Sequence, residues 1–275
     1  MLIYLSTMKV LTGDTLSSVR TFVFGGEGYP KSELKKLFDL YGARAKLVNV
    51  YGPTECTCIC SAYDLGADDF EDVRGLPPLG EIAENFSYLI LDGAGAEVAS
   101  GEVGELCLIG PNVGKGYYKN PEQTARGFST DPRNHGSGDR MYKTGDLVRW
   151  NPEDGYLYFA GRKDNQIKHM GYRIELEEIE AALNTLEYVE ESVALYRRTT
   201  AKYGQIVAVV GSSQDVEERR VIGDLAPVIP SYMIPNRVVV ERELPKNRNG
   251  KIDRKELAER YASPRPVPRV STSAS

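Results

Sequence analysis

The sequence has few of the residues that build disulfide frameworks and metal sites. It contains four cysteines, two histidines and one tryptophan among 275 residues. Four cysteines are too few for the disulfide framework of a secreted domain in a chain of this length. A zinc site would need C-x2-C pairs with further ligands, and only His135 and His169 are there to supply them. We therefore expect buried thiols and no zinc site.

Long apolar runs and an excess of positive charge are also missing. No run approaches the roughly 18 residues of a membrane span, and Lys9 lies inside the short apolar stretch at the amino end, not ahead of it as in a signal peptide. The 34 Lys and Arg residues are outnumbered by 39 Asp and Glu residues, which gives a net charge of -5. We therefore expect a cytoplasmic protein that binds neither nucleic acid nor membrane.

Three of the four cysteines lie close together and alternate along the chain, at Cys56, Cys58 and Cys60. A period of two places side chains on one face of an extended segment, so this pattern predicts a strand. No cationic cluster surrounds Cys56 or Cys58 in the sequence, so nothing there favours a reactive thiolate. The three thiols are expected to be buried together.

The amino-terminal part of the chain has the pattern of an α/β domain. Residues 20–24 predict a short buried strand, which two glycines end. Pro30 then opens a helix whose apolar residues fall on one face, at Leu34, Leu37, Phe38 and Tyr41. Residues 46–50 predict a second strand. A strand, helix and strand in succession are typical of a parallel sheet.

From about residue 76 the pattern changes to short strands separated by Gly, Pro, Asn and Asp turns. Residues 86–91, 103–109 and 156–159 are examples, and they predict an antiparallel or barrel-like region. After Gly161 the α/β pattern returns, with one apolar helical face and then strands near 189–196 and 205–210. That helical face comprises Leu176, Ile179, Leu183 and Leu186.

Two segments carry side chains suited to nucleotide chemistry. Asn49 to Glu55, NVYGPTE, leaves the end of a predicted strand, where α/β sheets place ligand sites. Its Thr can bind a phosphate oxygen while its Glu takes Mg²⁺, although a plain turn with a solvated Glu explains the segment equally well. In residues 142–147, YKTGDL, the Asp could accept hydrogen bonds from ribose hydroxyls, whereas an Asp in a turn more often binds its own backbone.

Two later segments carry further charged residues. Residues 161–180, GRKDNQIKHMGYRIELEEIE, end in acidic positions that would also suit the first turn of a helix. Residues 249–254, NGKIDR, present one Lys on a tight turn before a probable helix near Asp253. Such a Lys is a mobile point charge that can reach a carboxylate or a phosphate, although most exposed lysines do neither.

Taken together and in this order, these segments resemble the adenylate-forming enzymes. Within that superfamily the sequence is most similar to the amino acid adenylation domains of nonribosomal peptide synthetases and to the D-alanine carrier-protein ligases. The resemblance covers about residues 5–262, and chance agreement of six motifs is negligible. Those motifs are NVYGPTE, GELCLIGPNVGKGYYKNPEQTARGF, YKTGDLVRW, GRKDNQIKHMGYRIELEEIE, PSYMIP and NGKIDR.

The resemblance implies a reaction, its cofactors and its partners. Such an enzyme uses ATP and Mg²⁺ to convert an amino acid into its aminoacyl adenylate, and it then transfers the acyl group to the phosphopantetheine thiol of a carrier protein. Two alternatives stay open. The chain could be an aryl, fatty acyl or CoA ligase of the same superfamily, or a noncatalytic remnant that docks a carrier protein or a small accessory protein.

The resemblance also implies roles for the nucleotide-binding and catalytic residues. Thr54 would contact the α-phosphate and Glu55 would hold Mg²⁺. Lys251 would bridge the substrate carboxylate and the phosphate, and so stabilise charge in the transition state. The remaining contacts are with the nucleoside: Tyr51 and Phe159 would flank the adenine, and Asp146 and Arg162 would lie at the ribose.

Further roles concern the hinge and the substrate pocket. By resemblance, Asp164 is the hinge from which the small domain swings between two orientations. Residues 168–171 would then face the pantetheine tunnel. The amino acid pocket would be small or mainly apolar, and it would be lined by Val23, Gly25, Val50, Cys58 and Ile59.

The fold expected from pattern and resemblance together is mixed α/β and α+β. Residues 1–163 would be the carboxyl-terminal part of the large domain, with the end of a parallel α/β subdomain in 1–75 and a β-barrel-like region in 76–163. Residues 164–262 would form a small, mobile α+β domain. Residues 263–275 contain three prolines and no apolar periodicity, which predicts a linker or disordered tail.

The chain departs from the family pattern at its amino end. Members of the family carry a Ser/Thr/Gly-rich phosphate loop upstream, together with the Asp that holds the substrate amino group, and neither segment is in this sequence. We therefore expect the chain to be the carboxyl-terminal half of such an enzyme. Truncation would expose apolar strand edges and faces. Catalysis would lose positioning and charge stabilisation, so weak or no activity of the isolated chain is expected.

Overall fold

The structure, a computed structural model, describes residues 5, 8–133, 139–198 and 204–262. The chain divides into two compact units between Asp164 and Asn165. Both units combine helices with sheets, which confirms the mixed α/β prediction. Among the described residues, no helix is long and apolar enough to cross a membrane. The predicted tail, residues 263–275, lies outside the described residues.

The first unit opens with the predicted strand, helix and strand: β1 (Thr21–Gly25), α1 (Lys31–Tyr41) and β2 (Lys46–Tyr51). β1 and β2 pair in parallel, as predicted. The helix ends where the amide of Gly42 donates to the carbonyl of Phe38 at 2.7 Å. Its apolar face packs on one side of the two strands, where the buried residues are Phe22, Leu34, Leu37, Tyr41 and Leu47.

Two antiparallel strands complete the first sheet, β3 (Ser61–Asp64) and β4 (Glu81–Ile82). The order is β1-β2-β3-β4, so β1 is an edge strand among the described residues. On the face of β1 opposite α1, 55% of the Val23 surface is exposed. Among the described residues, the first unit therefore has an unpaired strand edge at β1 and a partly exposed strand face beside it.

The strand predicted through the alternating cysteines is wrong. Thr54–Cys56 form a single 3₁₀ turn, and Thr57 and Cys58 both adopt left-handed backbone conformations with φ of 62° and 82°. Because two left-handed residues reverse the chain direction, the three thiols cannot share one face of an extended segment. Cys56 and Cys60 are buried, whereas Cys58 is exposed.

The second sheet of this unit is antiparallel and has five strands. In chain order its elements are β5 (Ser87–Leu91), β6 (Val103–Ile109), α2 (Pro121–Gly127), β7 (Phe128–Thr130), β8 (Arg140–Trp150) and β9 (Leu157–Arg162). The order is β5-β6-β8-β7, and β9 also pairs with β8. β8 has 11 residues, so β7 and β9 pair with successive parts of it along one edge.

This sheet corrects the barrel-like prediction. Closure would require β5 to pair with β7 or β9, and the described residues show no such pairing, so the sheet is open. The antiparallel character of residues 76–163 is as predicted. A single apolar cluster fills one face of this sheet and also includes Tyr51 of the first sheet. Its other buried residues include Cys60, Leu106, Leu108, Tyr142, Val148 and Leu157.

The second unit begins with a hairpin and continues with a three-stranded sheet. Its elements are β10 (Gln166–His169), β11 (Tyr172–Glu175), α3 (Leu176–Leu183), β12 (Glu191–Arg198), β13 (Gly204–Gly211), α4 (Glu218–Leu225), β14 (Arg237–Glu241) and α5 (Arg254–Leu257). β13 pairs antiparallel with β12 and parallel with β14. The apolar face predicted for α3 is buried, although Leu186 lies beyond the end of that helix.

Candidate active site

The Thr144-Gly145-Asp146 segment interrupts the pairing of β6 with β8. Glu105 lies opposite Leu147 and Cys107 lies opposite Lys143, so the three residues face a single residue of β6. The Thr144 hydroxyl donates to the Leu106 carbonyl at 2.7 Å and accepts the Asp146 amide at 3.0 Å. The Thr144 side chain thus takes the place of backbone hydrogen bonds between β6 and β8. The bulge also changes the direction of the Asp146 side chain relative to the regular alternation along the strand.

The Asp146 carboxylate is buried and held on both oxygens. Its Oδ2 accepts a 2.6 Å hydrogen bond from the Tyr51 hydroxyl, and its Oδ1 accepts a 2.8 Å hydrogen bond from Arg162. Burial and the nearby Asp146 raise the pKa of Tyr51 well above its usual value, so the hydroxyl keeps its proton. Because a carboxylate oxygen can accept two hydrogen bonds, each oxygen can still accept one from a ribose hydroxyl.

Arg162 joins Asp146 to the residue predicted as the hinge. Its guanidinium donates to the Thr144 carbonyl at 2.9 Å, and to both oxygens of Asp164 at 2.8 and 2.5 Å. Burial opposes the charge of Arg162, but Asp164 and Asp146 outweigh it and raise the pKa of the guanidinium. Asp164 is the last residue of the first unit. The structure therefore connects Tyr51, Asp146, Arg162 and Asp164 through a single chain of hydrogen bonds.

Thr54 and Glu55 lie on the 3₁₀ turn that follows β2, with Thr54 exposed and Glu55 half-buried. The Oε1 atom of Glu55 accepts a 2.6 Å hydrogen bond from the Tyr117 hydroxyl. Tyr117 lies inside one of the six motifs, but nothing in the sequence marks it as a partner of Glu55. Its contact with Glu55 spans 62 positions, a distance at which a single sequence gives no pairing signal.

The arrangement around Glu55 fits a magnesium ion bound together with a nucleotide. The part of the chain that the structure describes contains no cluster of three or more His, Cys, Asp or Glu residues able to hold a metal by itself. Mg²⁺ is usually held by one or two carboxylates, with phosphate oxygens and water completing its octahedron. A single carboxylate on an exposed turn, beside a Thr hydroxyl, matches that requirement.

The two aromatic residues predicted at the adenine lie in different environments. The Tyr51 ring is buried in the apolar cluster between the sheets. Phe159 pairs with Val148 in the β8–β9 ladder and is 37% exposed. A register shift follows directly, because Gly161 pairs with Leu147 and leaves Ala160 as the extra residue of β9. This second bulge brings Arg162 opposite Asp146.

Three of the predicted pocket residues share the face of β1 and β2 opposite α1. Gly25 pairs with Val50, and Val23 lies two positions earlier on the same face as Gly25. A Cβ atom on Gly25 would lie 2.2 Å from the Val50 carbonyl oxygen, so only glycine fits there. The other two, Cys58 and Ile59, are exposed on the loop before β3.

Lys251 belongs to the second unit and is exposed on the turn before α5. The Asn247 side chain accepts the amides of Asn249 and Lys251 at 2.9 and 3.2 Å, and Gly250 has a φ of 75°. Just after the turn, Arg254 forms a 2.5 Å ion pair with Glu180 of α3. The turn that carries Lys251 is thus fixed at both ends within this unit.

The segment predicted at the pantetheine tunnel is the β10–β11 hairpin. Its two-residue turn has Met170 and Gly171 at φ of 53° and 89°, as in the type I′ turns that suit twisted strands. Met170 is 78% exposed at the tip. Beside the turn, the ring of Tyr172 stacks on that of Tyr232, with centroids 3.9 Å apart.

Two protein-family models match the chain, one after the other along the sequence. The family model described as AMP-binding enzyme matches residues 2–118, and the model described as AMP-binding enzyme C-terminal domain matches residues 178–251. Together the two matches include more than half of the chain. The chain belongs to the AMP-binding enzyme family. The resemblance inferred from the six motifs is therefore confirmed.

Three relatives show how much of a longer protein the chain matches. Bacitracin synthase 1 of Bacillus licheniformis is 39% identical over 246 residues, which is 90% of this chain and 5% of that protein. The D-alanine--D-alanyl carrier protein ligase of Bacillus cytotoxicus is 35% identical over 248 residues, which is 88% of this chain and 47% of the ligase.

The third relative is a solved structure, holo-PA1221, described as a nonribosomal peptide synthetase (NRPS) protein containing adenylation and PCP domains bound to a vinylsulfonamide inhibitor. It is 28% identical with a TM-score of 0.75, over 94% of this chain and 43% of that protein. The chain thus spans about half the length of the D-alanine ligase and of holo-PA1221, and a small part of the bacitracin synthase.

Proposed function

We propose that this chain carries out its share of an ATP-dependent reaction that activates an amino acid as its aminoacyl adenylate. The observation that carries the proposal is the buried Asp146 carboxylate, which Tyr51 and Arg162 hold at 2.6 and 2.8 Å. Burying a carboxylate is costly unless it is hydrogen-bonded, and here each oxygen keeps one acceptor position. Two such acceptors side by side match the vicinal hydroxyls of a ribose.

The other residues of the reaction are assigned by their chemistry and position. Thr54, exposed on the turn after β2, binds the α-phosphate through its hydroxyl. Glu55 would hold Mg²⁺, which would supply positive charge at the phosphates. Lys251 neutralises the negative charge shared by the attacking substrate carboxylate and the α-phosphate. Tyr51 and Phe159 contact the adenine ring.

The second step is the transfer of the acyl group to the thiol of a phosphopantetheinyl carrier protein. The thiol gives up its proton to solvent and its sulfur attacks the acyl carbonyl carbon. The bond between that carbon and the phosphate oxygen breaks, AMP leaves with the electron pair, and a thioester forms. We assign residues 164–262 to a small mobile domain with its hinge at Asp164, and residues 168–171 to the pantetheine path. The position of Asp164 at the boundary between the two compact units supports this assignment.

The substrate is an amino acid with a small or apolar side chain. The predicted pocket residues on the face of β1 and β2 opposite α1, Val23, Gly25 and Val50, offer only apolar groups, and Cys58 and Ile59 lie exposed on the loop before β3. Similarity to a D-alanine carrier-protein ligase and to an NRPS protein with adenylation and PCP domains supports both an amino acid substrate and a carrier partner. The small accessory protein stays a prediction.

Amino-acid-dependent exchange of labelled pyrophosphate into ATP tests this function. The purified chain is assayed with each common amino acid and D-alanine, alone and with a second polypeptide that supplies the part of the D-alanine ligase not matched here. Lys251→Ala should abolish exchange, whereas Lys255→Ala, which alters an exposed lysine of α5, should not. Exchange by the chain alone would contradict the expectation that it is inactive by itself.

The outcomes also separate the alternatives. Exchange that depends on aryl or fatty acids, and not on amino acids, would favour the other ligases of the superfamily. If the folded chain shows no pyrophosphate exchange, either alone or with the second polypeptide, the proposal is contradicted. Capture of a carrier protein without nucleotide would then identify a docking module.

A further inference from the structure

Glu105 of β6 is a buried carboxylate beside the bulge that carries Asp146. It pairs with Leu147 of β8, which is the last pair before the register of the two strands shifts. Only 8% of the Glu105 surface is exposed. A buried charge is costly unless it is paired and hydrogen-bonded. The partners of Glu105 therefore show which part of the site this carboxylate supports.

The two oxygens of Glu105 bind the neighbours of both charged residues that we assign to the ribose. Oε1 accepts a hydrogen bond from the Gly145 amide at 3.1 Å, and Oε2 accepts one from the Lys163 ammonium at 2.9 Å. Gly145 directly precedes Asp146, and Lys163 directly follows the last residue of β9, Arg162. One side chain of β6 thus holds the chain next to Asp146 and next to Arg162.

A backbone hydrogen bond completes this arrangement around Gly145. The Lys163 amide donates to the Gly145 carbonyl at 2.9 Å, so Gly145 is held at its amide by Glu105 and at its carbonyl by Lys163. The space beside Gly145 is filled by Arg162, because a Cβ atom on the glycine would lie 2.6 Å from Nη2. A displacement of Gly145 would therefore move the Asp146 backbone and disturb the Arg162 guanidinium.

Of the two partners of Glu105, the Gly145 amide has the larger effect on the site. The Lys163 side chain is 54% exposed, and an ion pair with such a partner is screened by water and contributes little. The hydrogen bond and the negative charge of Glu105 raise the pKa of Lys163, so the ammonium stays charged. The bond from the Gly145 amide joins a backbone donor to a carboxylate, which is a stronger, charge-assisted type.

We propose that Glu105 is a positioning residue, which orients Asp146 and Arg162 for the ribose hydroxyls by holding the Gly145 amide. It acts through the backbone of the bulge and not by contact with the nucleotide. The inference rests on the proposed function, because it takes Asp146 as the ligand of the ribose. Without Glu105, the Asp146 carboxylate keeps its charge but loses the orientation in which its two oxygens face vicinal hydroxyls.

Isothermal titration of the full chain with ATP and with 2′,3′-dideoxy-ATP, each with Mg²⁺, tests this role. The ratio of the two affinities reports the hydrogen bonds to the ribose hydroxyls. A smaller folded fraction would lower both apparent affinities equally, so the ratio separates positioning from stability. Glu105→Leu keeps the approximate size of the side chain but removes the acceptor. It should reduce the ratio about tenfold, which is the value of one hydrogen bond to a charged group.

Two further variants serve as rescue and control. Glu105→Gln keeps an acceptor for the Gly145 amide, and the exposed Lys163 can turn into water, so the ratio should stay within about twofold of the wild-type value. Glu102→Leu makes the same change at an exposed position just before β6, where the carboxylate accepts the Ala99 amide at 3.3 Å. It should leave the ratio unchanged.

A wild-type ratio in Glu105→Leu would overturn the proposal. Equal losses in Glu105→Leu and Glu105→Gln would also overturn it, because the ion pair and not the Gly145 amide would then be decisive. A wild type that binds both nucleotides equally would contradict the proposed ribose site itself, and this inference with it.

If the wild type binds neither nucleotide, hydrogen exchange of the ligand-free chain decides the positioning role. The Asp146 amide should exchange faster in Glu105→Leu than in Glu105→Gln and Glu102→Leu, while the amides of β5 exchange as in the wild type. Equal exchange of the Asp146 amide in the three variants would overturn the proposal.

Discussion

The Tyr51 hydroxyl lies 2.6 Å from Asp146 Oδ2, although the two residues are 95 positions apart in the sequence. Tyr51 ends β2 of the first sheet, whereas Asp146 lies in the bulge of β8 in the second. The hydrogen bond therefore crosses from one sheet to the other inside the apolar cluster. The carboxylate that we assign to the ribose is thus held by the packing of two sheets and not by its own turn alone.

Removal of the Tyr51 hydroxyl should weaken both the fold and nucleotide binding. Tyr51→Phe keeps the buried ring but leaves Asp146 Oδ2 without its donor, at a cost of about 1.5–3 kcal/mol in the free energy of unfolding. Tyr158→Phe is the matched control, because Tyr158 also donates to an aspartate at 2.6 Å, but on the surface. We expect a loss of less than about 1 kcal/mol there. Urea denaturation checks both values, and equal losses would contradict the role of burial.

Gly145 should tolerate no side chain without disturbing Arg162. Its φ is 72°, and a Cβ atom would lie 2.6 Å from Arg162 Nη2 and 2.9 Å from Asp164 Oδ2. Gly155 has a similar φ of 76° but has no atom within 4 Å of such a Cβ. Gly155→Ala should thus cost only the backbone strain, about 1–2 kcal/mol. Gly145→Ala should cost at least about 1 kcal/mol more. Denaturation curves that coincide would rule out this steric contact.

Glu180 should make stability depend on pH in the acidic range. Burial raises the pKa of its carboxyl above the usual 4.5, although the Ala194 amide and Arg254 favour the charged form. The folded chain then binds this proton more tightly than the unfolded chain does. The stabilisation is complete below about pH 4.5 and is lost as the pH rises through the folded pKa.

Urea denaturation between pH 4 and pH 7 tests the role of Glu180. The free energy of unfolding of the wild type minus that of Glu180→Gln should fall as the pH rises. Glu178→Gln, which removes a carboxylate from an exposed position on the same helix, is the matched control. A flat difference for Glu180→Gln would refute the raised pKa.

Cys58 should be the one thiol that reacts rapidly in the native chain. Cys56, Cys60 and Cys107 are all fully buried, whereas Cys58 is exposed. Burial, with Glu105 nearby, also raises the pKa of Cys107 to about 12, and so suppresses its thiolate. Brief treatment with iodoacetamide followed by peptide mass spectrometry should find the adduct on Cys58 alone. Alkylation of Cys56 or Cys60 at the same rate would show that the 54–60 turn opens.

Features set by local periodicity could be predicted from the sequence. The apolar face of α1 repeats at helical spacing, and the short runs on either side predicted β1 and β2 and their parallel pairing. The alternating cysteines gave a wrong strand, because two consecutive left-handed residues are a local choice that alternation does not reveal. Periodicity thus predicted α1, β1 and β2 correctly, because each of them buries one face. It failed at the turn that carries the three cysteines.

Features that depend on distant pairing could not be predicted in this way. Whether the strands of residues 76–163 close into a barrel depends on which edges meet, and β8 instead takes two partners on one edge. The motifs identified Asp146 and Glu55 as candidates, but not the tyrosines that hold them. Tyr117 and Glu55 meet only through the folding of residues 112–117 over the turn after β2.

The central claim is that Asp146, held by Tyr51 and Arg162, binds the two hydroxyls of a ribose. Isothermal titration of the chain with ATP and with 2′,3′-dideoxy-ATP, each with Mg²⁺, tests it most directly. ATP should bind more tightly by about a hundredfold or more, because two hydrogen bonds to a charged group are lost and each costs about 1.5–3 kcal/mol. Equal affinity for the two nucleotides would contradict the claim, and binding of neither would show that the chain forms no nucleotide site by itself.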